Sequence, residues 1–208
     1  MKNLLIFSFI ICFYNVFSQI SAQAKSTASI KESPIYDRDE SQLLSTDTIP
    51  DFRSKTNKLK LTGVIYESDG VTPAKDVIMF IEQPNEDGGF DLRNEGDNRY
   101  VFHRSWVKTD TNGRYTFYTF VPGNDRRYNQ LQQIFPIVKA PSRKEDQLES
   151  FLFDNDPLLT KRCRKQIAKK SKTSRILKLN KVDGLLIAKR HNILASEAVK
   201  TKDTTMTK

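Results

Sequence analysis

Histidine is scarce in this chain of 208 residues, which has only His103 and His191. Nucleophilic and general-base catalysis depend most often on an imidazole. Two histidines 88 positions apart do not indicate a base paired with a nucleophile. The sequence also lacks a Gly-rich phosphate loop, a Cys-x-x-Cys pair and a His-Glu-x-x-His motif. No active site is therefore evident from local motifs alone.

No hydrophobic run in the sequence is long enough for a transmembrane helix. The run LLIFSFIICFYNVF near the N-terminus has 14 residues, whereas a helix needs roughly 20 to span a bilayer. Lys2 precedes this run, and Ala22-Gln23-Ala24 follows it with small residues at both positions required for cleavage. We therefore predict a signal peptide over residues 1–24 and an exported protein, periplasmic or secreted, with no transmembrane segment.

Cysteine is equally rare, since only Cys12 and Cys163 are present. Removal of the signal peptide would leave Cys163 alone, and one thiol cannot close an internal disulfide. Stability must then come from a hydrophobic core, which about 150 structured residues are enough to bury. We interpret Cys163 as a non-catalytic thiol, because the chain offers so few histidines as partners.

Aromatic residues are missing from the most basic part of the chain. The net charge is +9, and residues 161–208 contain 15 Lys and Arg against three acids, a net of +12. Without an aromatic side chain this segment has nothing to stack on nucleic-acid bases. We therefore expect no nucleic-acid partner and interpret residues 161–208 as a solvated basic flank. Weak adhesion of this segment to anionic surfaces is the alternative.

Composition divides the rest of the chain into three parts. Residues 25–57 are rich in Ser, Thr, Asp and Lys and show no sustained hydrophobic period. They are predicted to be a polar linker, largely disordered unless it docks on the domain that follows. Residues 58–194 are predicted to form one domain, and residues 195–208 a polar tail that needs no fold.

Short strands separated by turn signals fill the predicted domain. The predicted extended segments are 58–66, 76–82, 100–110, 113–120, 131–138, 151–159, 175–180 and 185–194. Asn112-Gly113 is a hairpin signal, and Asp183-Gly184 is the turn of a last hairpin. Only residues 160–170 look helical. We predict an all-β fold, a two-sheet β-sandwich with one short helix and a basic C-terminal tail.

Three acidic residues, Glu149, Asp154 and Asp156, lie close together in the sequence and raise the possibility of a calcium site. The stretch FDNDPLL lacks the regular spacing of oxygen ligands in a calcium-binding loop. Asp before Pro is common in ordinary turns. We interpret this stretch as a turn.

Four stretches of the domain carry a further signal in combination. They are LTGVIYESDGVTPAKDVIMFIEQ, RSWVKTDTNGRYTFYTFVPG, FLFDNDPLLT and KVDGLLIAKRHNIL. Together they resemble the intradiol ring-cleavage dioxygenases, in particular compact single-domain members from Bacteroidetes-type bacteria. The second stretch is similar to the family pattern R-G-W-x-K-T-D-x-N-G-x-Y-x-F-x-T-x-x-P almost position for position. The resemblance covers residues 58–194 and implies a prealbumin-like β-sandwich.

The resemblance also implies a ferric iron held by two Tyr and two His, to which a catechol binds through both hydroxyls before O₂ attacks. Anionic phenolate oxygens stabilise the hard trivalent ion, and neutral imidazoles complete a site with open positions. At the matching positions this chain has Phe90 and Asp125 instead of the tyrosines, and Gln133 and Phe135 instead of the histidines. The stretch LQQIFPIV thus carries neither imidazole.

These replacements predict a filled cavity in which Phe90 and Phe135 pack as core residues. We expect a binding or structural protein without ring-cleavage activity, with no cofactor and an unidentified ligand. A first alternative is an active dioxygenase that holds Fe³⁺ through relocated ligands, with Tyr100, His103 and Tyr128 as candidates. A second alternative is a carbohydrate- or protein-binding β-sandwich of the cell envelope.

Overall fold

Strands dominate residues 33–196, the part of the chain described by our computed structural model. The 14 strands are β1 (Thr46–Thr48), β2 (Lys58–Tyr66), β3 (Ile78–Glu82), β4 (Leu92–Glu95), β5 (Asn98–Val101), β6 (Arg104–Lys108), β7 (Arg114–Phe120), β8 (Gln133–Lys139), β9 (Asp146–Gln147), β10 (Phe151–Phe153), β11 (Ile176–Leu177), β12 (Asn180–Val182), β13 (Leu185–Lys189) and β14 (Asn192–Ile193). One α-helix, α1, spans Lys161–Lys169. The predicted signal peptide and most of the predicted tail lie outside the described residues.

Most of these strands form two sheets of six. The first sheet has the order β1-β7-β2-β13-β12, with β14 also paired to β2. The second has the order β11-β10-β8-β3-β6, with β9 paired to β8, while β4 and β5 form a separate hairpin. Buried side chains of both sheets join in one hydrophobic cluster. The predicted two-sheet β-sandwich is confirmed. Among the described helices, none is long and apolar enough to cross a membrane.

Alternating side chains explain how β2 and β7 build the core. In β2 every second residue is buried, and Leu59, Leu61 and Ile65 are fully enclosed. Tyr115 and Phe117 point into the same cluster from β7, which pairs antiparallel with β2. This period of two places one face of the first sheet against the core. The residue pattern therefore decides which face is buried.

The continuous apolar run in β3 is buried on both faces. Met79 and Ile81 join the cluster between the sheets. Ile78 and Phe80 face outward into a second cluster, where they meet Trp106 and Ile35. A strand in the middle of a covered sheet needs apolar residues on both sides.

The segment before β2 docks on the domain, which corrects the expectation of disorder for its described part. Ile35 is only 1% exposed and covers the outer face of the second sheet, where the Trp106 indole N–H donates to the Pro34 carbonyl at 3.0 Å. Further along, β1 pairs in parallel with β7 of the first sheet. The buried Ile35, the pairing of β1 and polar contacts such as that of the Ser105 hydroxyl with Asp47 at 2.6 Å hold this segment in place.

The turn at Asn112-Gly113 joins strands of different sheets, so the predicted hairpin is wrong. Asp110 accepts hydrogen bonds from the backbone N–H groups of Asn112 and Arg114, both at 2.9 Å, and shapes a tight turn. However, β6 pairs with β3 in the second sheet, whereas β7 pairs with β2 in the first. The chain crosses the sandwich at this turn.

The predicted extended segment 151–159 is wrong beyond β10, because residues 154–159 form turns. Three other predicted segments are divided in the structure. The segment 100–110 breaks between β5 and β6, and 175–180 is split between β11 in the second sheet and β12 in the first. The segment 185–194 is interrupted between β13 and β14. The last hairpin is confirmed, because β12 pairs with β13 around Asp183-Gly184. Helix α1 is confirmed too, and the Thr160 hydroxyl caps it by accepting from the Cys163 N–H at 3.2 Å.

Candidate functional site

The two phenylalanines at predicted ligand positions lie in contact. Phe90 is in the loop between β3 and β4, and Phe135 is on β8, yet their ring centroids are 5.9 Å apart. Phe135 is half-buried, and Phe90 is 38% exposed. The pairing of the two rings agrees with the predicted filling of the site. The prediction that both are buried core residues is wrong, because both rings lie at the surface of the second sheet.

Close backbone contact holds the loops of this site together. Gly88 lies against Asn124, and a Cβ on Gly88 would come within 2.6 Å of the Asn124 carbonyl. Gly123 lies against Glu86 in the same way, with its missing Cβ only 2.2 Å from the Glu86 carbonyl oxygen. The Gln130 side-chain amide donates to the Gly88 carbonyl at 3.2 Å. The loop that carries Asp125 is therefore fixed beside the loop that carries Phe90.

Both carboxylate oxygens of Asp125 accept hydrogen bonds from a neighbour in the same loop. It accepts from the Arg127 N–H at 2.9 Å and from the Arg127 guanidinium at 3.1 and 3.3 Å. The hydrogen bonds from Arg127 hold the pKa of Asp125 below its usual range. This carboxylate closes its own loop.

Gln133 is also engaged by a neighbouring strand connection. Its side-chain carbonyl accepts from the Ser150 hydroxyl at 3.1 Å. The Arg175 guanidinium donates to Ser150 in turn, both at the hydroxyl and at the backbone carbonyl. Gln133 therefore belongs to a hydrogen-bonded chain that ties β8 to the segment before β10.

Asp156 anchors three segments beside this site, a role that sequence reasoning missed. It is only 3% exposed, and it accepts from the Asn124 amide at 2.9 Å, the Gln132 N–H at 2.8 Å and the Leu158 N–H at 3.0 Å. The sequence signal for this role was the position of Asp156 in FLFDNDPLLT, one of the four stretches that carry the family resemblance. One buried carboxylate thus holds the Asp125 loop, the start of β8 and its own turn.

The three acidic residues considered for calcium have separate partners. Glu149 pairs with Arg175 at 2.6 Å and also with Lys172, while Asp154 pairs with Arg164. Within residues 33–196 no three His, Cys, Asp or Glu side chains are grouped so that they could hold a metal ion. The turn interpretation of FDNDPLL agrees with these contacts.

Comparison with solved structures identifies the architecture. The chain matches the dioxygenase domain of a dioxygenase and carbohydrate-binding protein fusion from Streptomyces sp. SirexAA-E, with a TM-score of 0.56, 15% identity and coverage of 73% of this chain and 87% of that one. An intradiol ring-cleavage dioxygenase from Tetranychus urticae gives a TM-score of 0.54, 16% identity and coverage of 73% and 85%. The chain has the intradiol dioxygenase fold.

A third match is 3-chlorocatechol 1,2-dioxygenase from Rhodococcus opacus 1CP. It gives a TM-score of 0.51 and 18% identity, and the match covers 70% of this chain and 63% of that one. No protein-family model matches the sequence, and a search of curated proteins gives no match either. The three structural matches show the fold, and identities of 15–18% show no activity for this chain.

Ferric iron does not fit the four side chains at the predicted ligand positions. Phe90 and Phe135 have no donor atom, and both oxygens of Asp125 are bonded to Arg127. Gln133 offers a neutral amide oxygen, which already accepts from Ser150. A hard trivalent ion needs several anionic or strongly donating ligands.

The candidates for relocated ligands contact different parts of the intradiol dioxygenase fold. Tyr100 lies under Arg104, with the guanidinium 4.0 Å from the ring centroid. Tyr128 is 79% exposed and lies beside Arg127. His103 is enclosed by phenylalanine rings. We find no contact that joins the three among the described residues.

His103 is buried without a hydrogen-bond partner. The residue is 2% exposed, and its ring packs edge-on against Phe120 at 5.0 Å and Phe102 at 5.3 Å. Neither ring nitrogen has a partner within the described residues. Burial lowers the pKa of His103, because desolvation disfavours the charged imidazolium, and the positive charge of Lys55 lowers it further.

A pH-dependent stability follows from His103. The folded chain binds the proton less readily than the unfolded chain, so His103 should favour the folded state fully above about pH 6.5, the pKa of an unperturbed histidine. We expect this contribution to the free energy of unfolding to be lost as the pH falls from that value towards the lower folded-state pKa. Urea unfolding at a series of pH values measures it.

The control for this pH effect is His103→Phe, which keeps an aromatic ring of similar size and cannot be protonated. Its free energy of unfolding should depend less on pH than that of the wild-type chain in the same window. Parallel curves for the two proteins would show that His103 is not responsible.

The half-burial of Phe135 sets the expected cost of removing its ring. We expect Phe135→Ala to lower the free energy of unfolding by about 1–2 kcal/mol, below the about 3–5 kcal/mol typical of a fully buried phenylalanine. Phe151→Ala is the matched control, because Phe151 is fully buried in the main cluster. Urea unfolding of both variants checks the difference. Equal losses would contradict the surface position of Phe135.

Proposed function

We propose that this chain is an exported protein that uses the intradiol dioxygenase fold to bind a ligand or partner, or in a structural role, without cleaving aromatic rings. The observation that supports it is the contact between Phe90 and Phe135 at 5.9 Å. The family resemblance places a tyrosine and a histidine ligand at these two positions. Two phenyl rings supply no metal ligand there, and they fill space with apolar surface.

The neighbouring contacts support the same proposal. Asp125 and Gln133 stand at the other two positions, and each is bonded within the protein, to Arg127 and Ser150 respectively. These hydrogen bonds would compete with a metal for the lone pairs of the two side chains. The loops are moreover held by the close approach of Gly88 and Gly123 to opposing backbone, which restricts their rearrangement.

An iron-loading experiment tests the proposed function. The full chain is expressed with added iron, and the purified protein is measured by visible absorption, elemental analysis and O₂ uptake with catechol. Tyrosinate bound to Fe³⁺ absorbs visible light, so we expect a colourless protein without stoichiometric iron and without turnover. A coloured wild-type protein that contains stoichiometric iron and consumes O₂ would overturn the proposal.

The positive control is a variant that restores the family's ligand types. Phe90→Tyr, Asp125→Tyr, Gln133→His and Phe135→His are combined in one chain. Iron binding by this variant, with none by the wild-type chain, would support the assignment of these four positions. A folded variant that binds no iron would count against the assignment.

A dioxygenase with relocated ligands is the second candidate. It is favoured by one observation, the buried His103 ring with two unpartnered nitrogens. If iron is found in the wild-type protein, His103→Gln and Tyr128→Phe should each reduce it under this candidate. Unchanged iron content in both variants would eliminate it.

Export is proposed from the N-terminal sequence pattern. Cleavage after Ala24 should leave a protein that begins at Lys25, which mass spectrometry of the exported fraction measures. An intact Met1 on that fraction would overturn the proposed export.

Weak adhesion of residues 161–208 to anionic surfaces is also proposed, and exposed basic residues of α1, such as Lys161 and Lys165, would contribute. Salt-sensitive co-sedimentation with anionic vesicles checks adhesion.

A further inference from the structure

Arg190 differs from the other half-buried arginines because it has no counter-ion. Within residues 33–196 five arginines are half-buried, and four of them pair with a carboxylate. The four pairs are Arg104 with Asp37, Arg143 with Glu67, Arg164 with Asp154 and Arg175 with Glu149. Arg190 forms neither an ion pair nor a side-chain hydrogen bond with any described residue. A charge that is partly removed from water is unfavourable without a partner, so Arg190 lacks a group of opposite charge.

The guanidinium of Arg190 reaches from the first sheet to the second. Arg190 directly follows β13, and its guanidinium carbon is 5.7 Å from the centroid of the Phe151 ring, which is fully buried on β10. The Nε atom faces the protein, where it is buried and has no partner in the described part of the chain. The terminal nitrogens Nη1 and Nη2 keep accessible surface, and they form no hydrogen bond with residues 33–196. A ligand can therefore reach these two nitrogens, which carry most of the N–H donors of the group.

A second guanidinium lies next to that of Arg190. Arg175 donates from Nε to the Ser150 carbonyl at 2.8 Å, and Ser150 directly precedes Phe151, whose ring contacts Arg190. The two guanidinium groups thus lie against consecutive residues. Burial lowers the pKa of Arg190, and the positive charge of Arg175 lowers it further because like charges repel each other.

The carboxylate beside these groups is already shared by two cations. Glu149 pairs with Arg175 at 2.6 Å and also with Lys172. Together with Arg190 these side chains combine three positive charges with one negative charge, a net charge of +2. A carboxylate ligand would compensate only half of this excess, whereas a phosphate monoester, with a charge of about −1.5 to −2 at pH 7, compensates most of it. A cation would be repelled, and a neutral ligand would leave Arg190 without a counter-ion.

We infer that Arg190 binds a phosphate group. Nη1 and Nη2 donate to two phosphate oxygens in the bidentate arrangement that a guanidinium favours, while Arg175 and Lys172 contribute positive charge. The phosphate group is free, carried by a small organic molecule or part of a lipid headgroup, and the same contacts serve all three. The inference goes beyond the proposed function, because the site includes none of the four positions that match the family's iron ligands.

An NMR titration of the full chain tests the inference. Inorganic phosphate and glycerol 3-phosphate are the soluble probes, sodium chloride keeps the ionic strength constant, and the readout is the shift of backbone amide signals. We expect saturable shifts at Phe151, Arg175 and Arg190 with at least one probe if the phosphate group is free or carried by a small molecule.

Vesicle binding tests the lipid source of the phosphate group. If the group belongs to a lipid, the chain should co-sediment with phosphatidylcholine vesicles that contain phosphatidate, and not with phosphatidylcholine alone. No saturable binding of phosphate, glycerol 3-phosphate or phosphatidate vesicles would overturn the inference. Shifts confined to other regions of the chain would overturn it too.

Arg190→Met separates this site from the other basic residues. Methionine keeps an apolar side chain against Phe151 and removes the charge, so phosphate binding should weaken about ten-fold or more. Arg93→Met is the matched control, since Arg93 also lies over a phenyl ring, that of Phe102, but pairs with Asp91 at 3.0 Å. The control should bind phosphate, or the phosphatidate vesicles, like the wild-type chain. Wild-type affinity in a folded Arg190→Met protein, or an equal loss in the control, would overturn the inference.

Thermal unfolding gives an independent measurement. The phosphate probe that binds should raise the Tm of the wild-type chain above its value in chloride of the same ionic strength, because a ligand of the folded state stabilises that state. Arg190→Met should be at least as stable as the wild-type chain in chloride, since an uncompensated charge has been removed, and the probe should not raise its Tm. Arg190→Gln is the second variant in case Arg190→Met does not fold. Equal increases in the Tm of the wild-type chain and a folded variant would overturn the inference.

The outcomes for the phosphate site and for the proposed function are independent. Iron uptake and turnover by the wild-type chain would overturn the proposed function and leave the phosphate site standing. Absence of phosphate binding would overturn the phosphate site and leave the iron result unaffected.

Discussion

Gly63→Ala is expected to prevent the chain from reaching a stable fold. Gly63 lies in the middle of β2, where it pairs with Tyr115 of β7. A Cβ at this position would lie 1.7 Å from the carbonyl oxygen of Arg190 and 3.0 Å from the Tyr115 ring. These neighbours are backbone and a buried ring, so a small side-chain adjustment cannot relieve the overlap.

The same carbonyl is part of a network that the substitution would break. The Arg190 carbonyl accepts from the Tyr115 hydroxyl at 2.7 Å, and the Arg190 N–H donates to the Thr62 carbonyl at 2.9 Å. Displacing Arg190 would leave the Tyr115 hydroxyl, which is buried, without its acceptor. Overlap with backbone and loss of a buried hydrogen bond together should cost at least about 4–5 kcal/mol.

Circular dichroism and urea unfolding measure this effect, and Gly89→Ala is the matched control. The nearest atoms to a Cβ on Gly89 lie 4.0 Å away, in the Asn85 side chain. The control should remain within about 0.5 kcal/mol of the wild-type chain. A Gly63→Ala protein with normal stability would show that the β2 and Arg190 backbones are farther apart than described.

Asp156→Ala is expected to lower the free energy of unfolding by about 3–5 kcal/mol. The substitution removes the acceptor of three donors, from Asn124, Gln132 and Leu158. Each buried donor left without a partner costs about 1–3 kcal/mol, with some recovery from water. Urea unfolding of the variant and the wild-type chain measures this loss.

Asp154→Ala is the control for Asp156→Ala. Asp154 lies two residues earlier, is exposed, and forms an ion pair with Arg164 at the surface. Surface ion pairs contribute only about 0–1 kcal/mol, so this variant should unfold almost like the wild-type chain. Equal losses in the two variants would contradict the anchoring role of Asp156.

Local patterns predicted the strands well and their pairing poorly. The alternation of KLKLTGVIY and the apolar run of DVIMFIE follow directly from which faces of β2 and β3 are buried. The turn at Asn112-Gly113 has the local chemistry of a hairpin, and the Asp110 contacts confirm a tight turn. Which sheet each flanking strand joins depends on partners far away in the sequence, and turn residues do not contain that information.

The docked N-terminal segment was invisible for a similar reason. Ile35 and Ile49 are single apolar residues in a polar stretch, and both are almost fully buried. Their burial requires a complementary surface, which for Ile35 includes Phe80 and Trp106. The composition of the segment is an average over all its residues, so it does not predict the burial of two single isoleucines.

The candidate site was predicted only in outline. The resemblance indicated that Phe90 and Phe135 should meet, and they do, but their exposure depends on how the Phe90 loop lies over β8. The anchoring by Asp156 could not be predicted, because it arises where segments distant in sequence come together.

The position of β2 in the first sheet has a consequence for how the chain assembles. β2 is made early in synthesis, yet its neighbours β7, β13 and β14 are made later, and Leu59 pairs with Leu186, 127 positions further on. Contacts over such separations form slowly because a long loop must close first. Until the last strands emerge, an alternating apolar strand is left with an open edge. β2 therefore cannot complete its pairing until the last strands have been made, and a nascent chain kept unfolded until then avoids the wrong strand pairings that this edge invites.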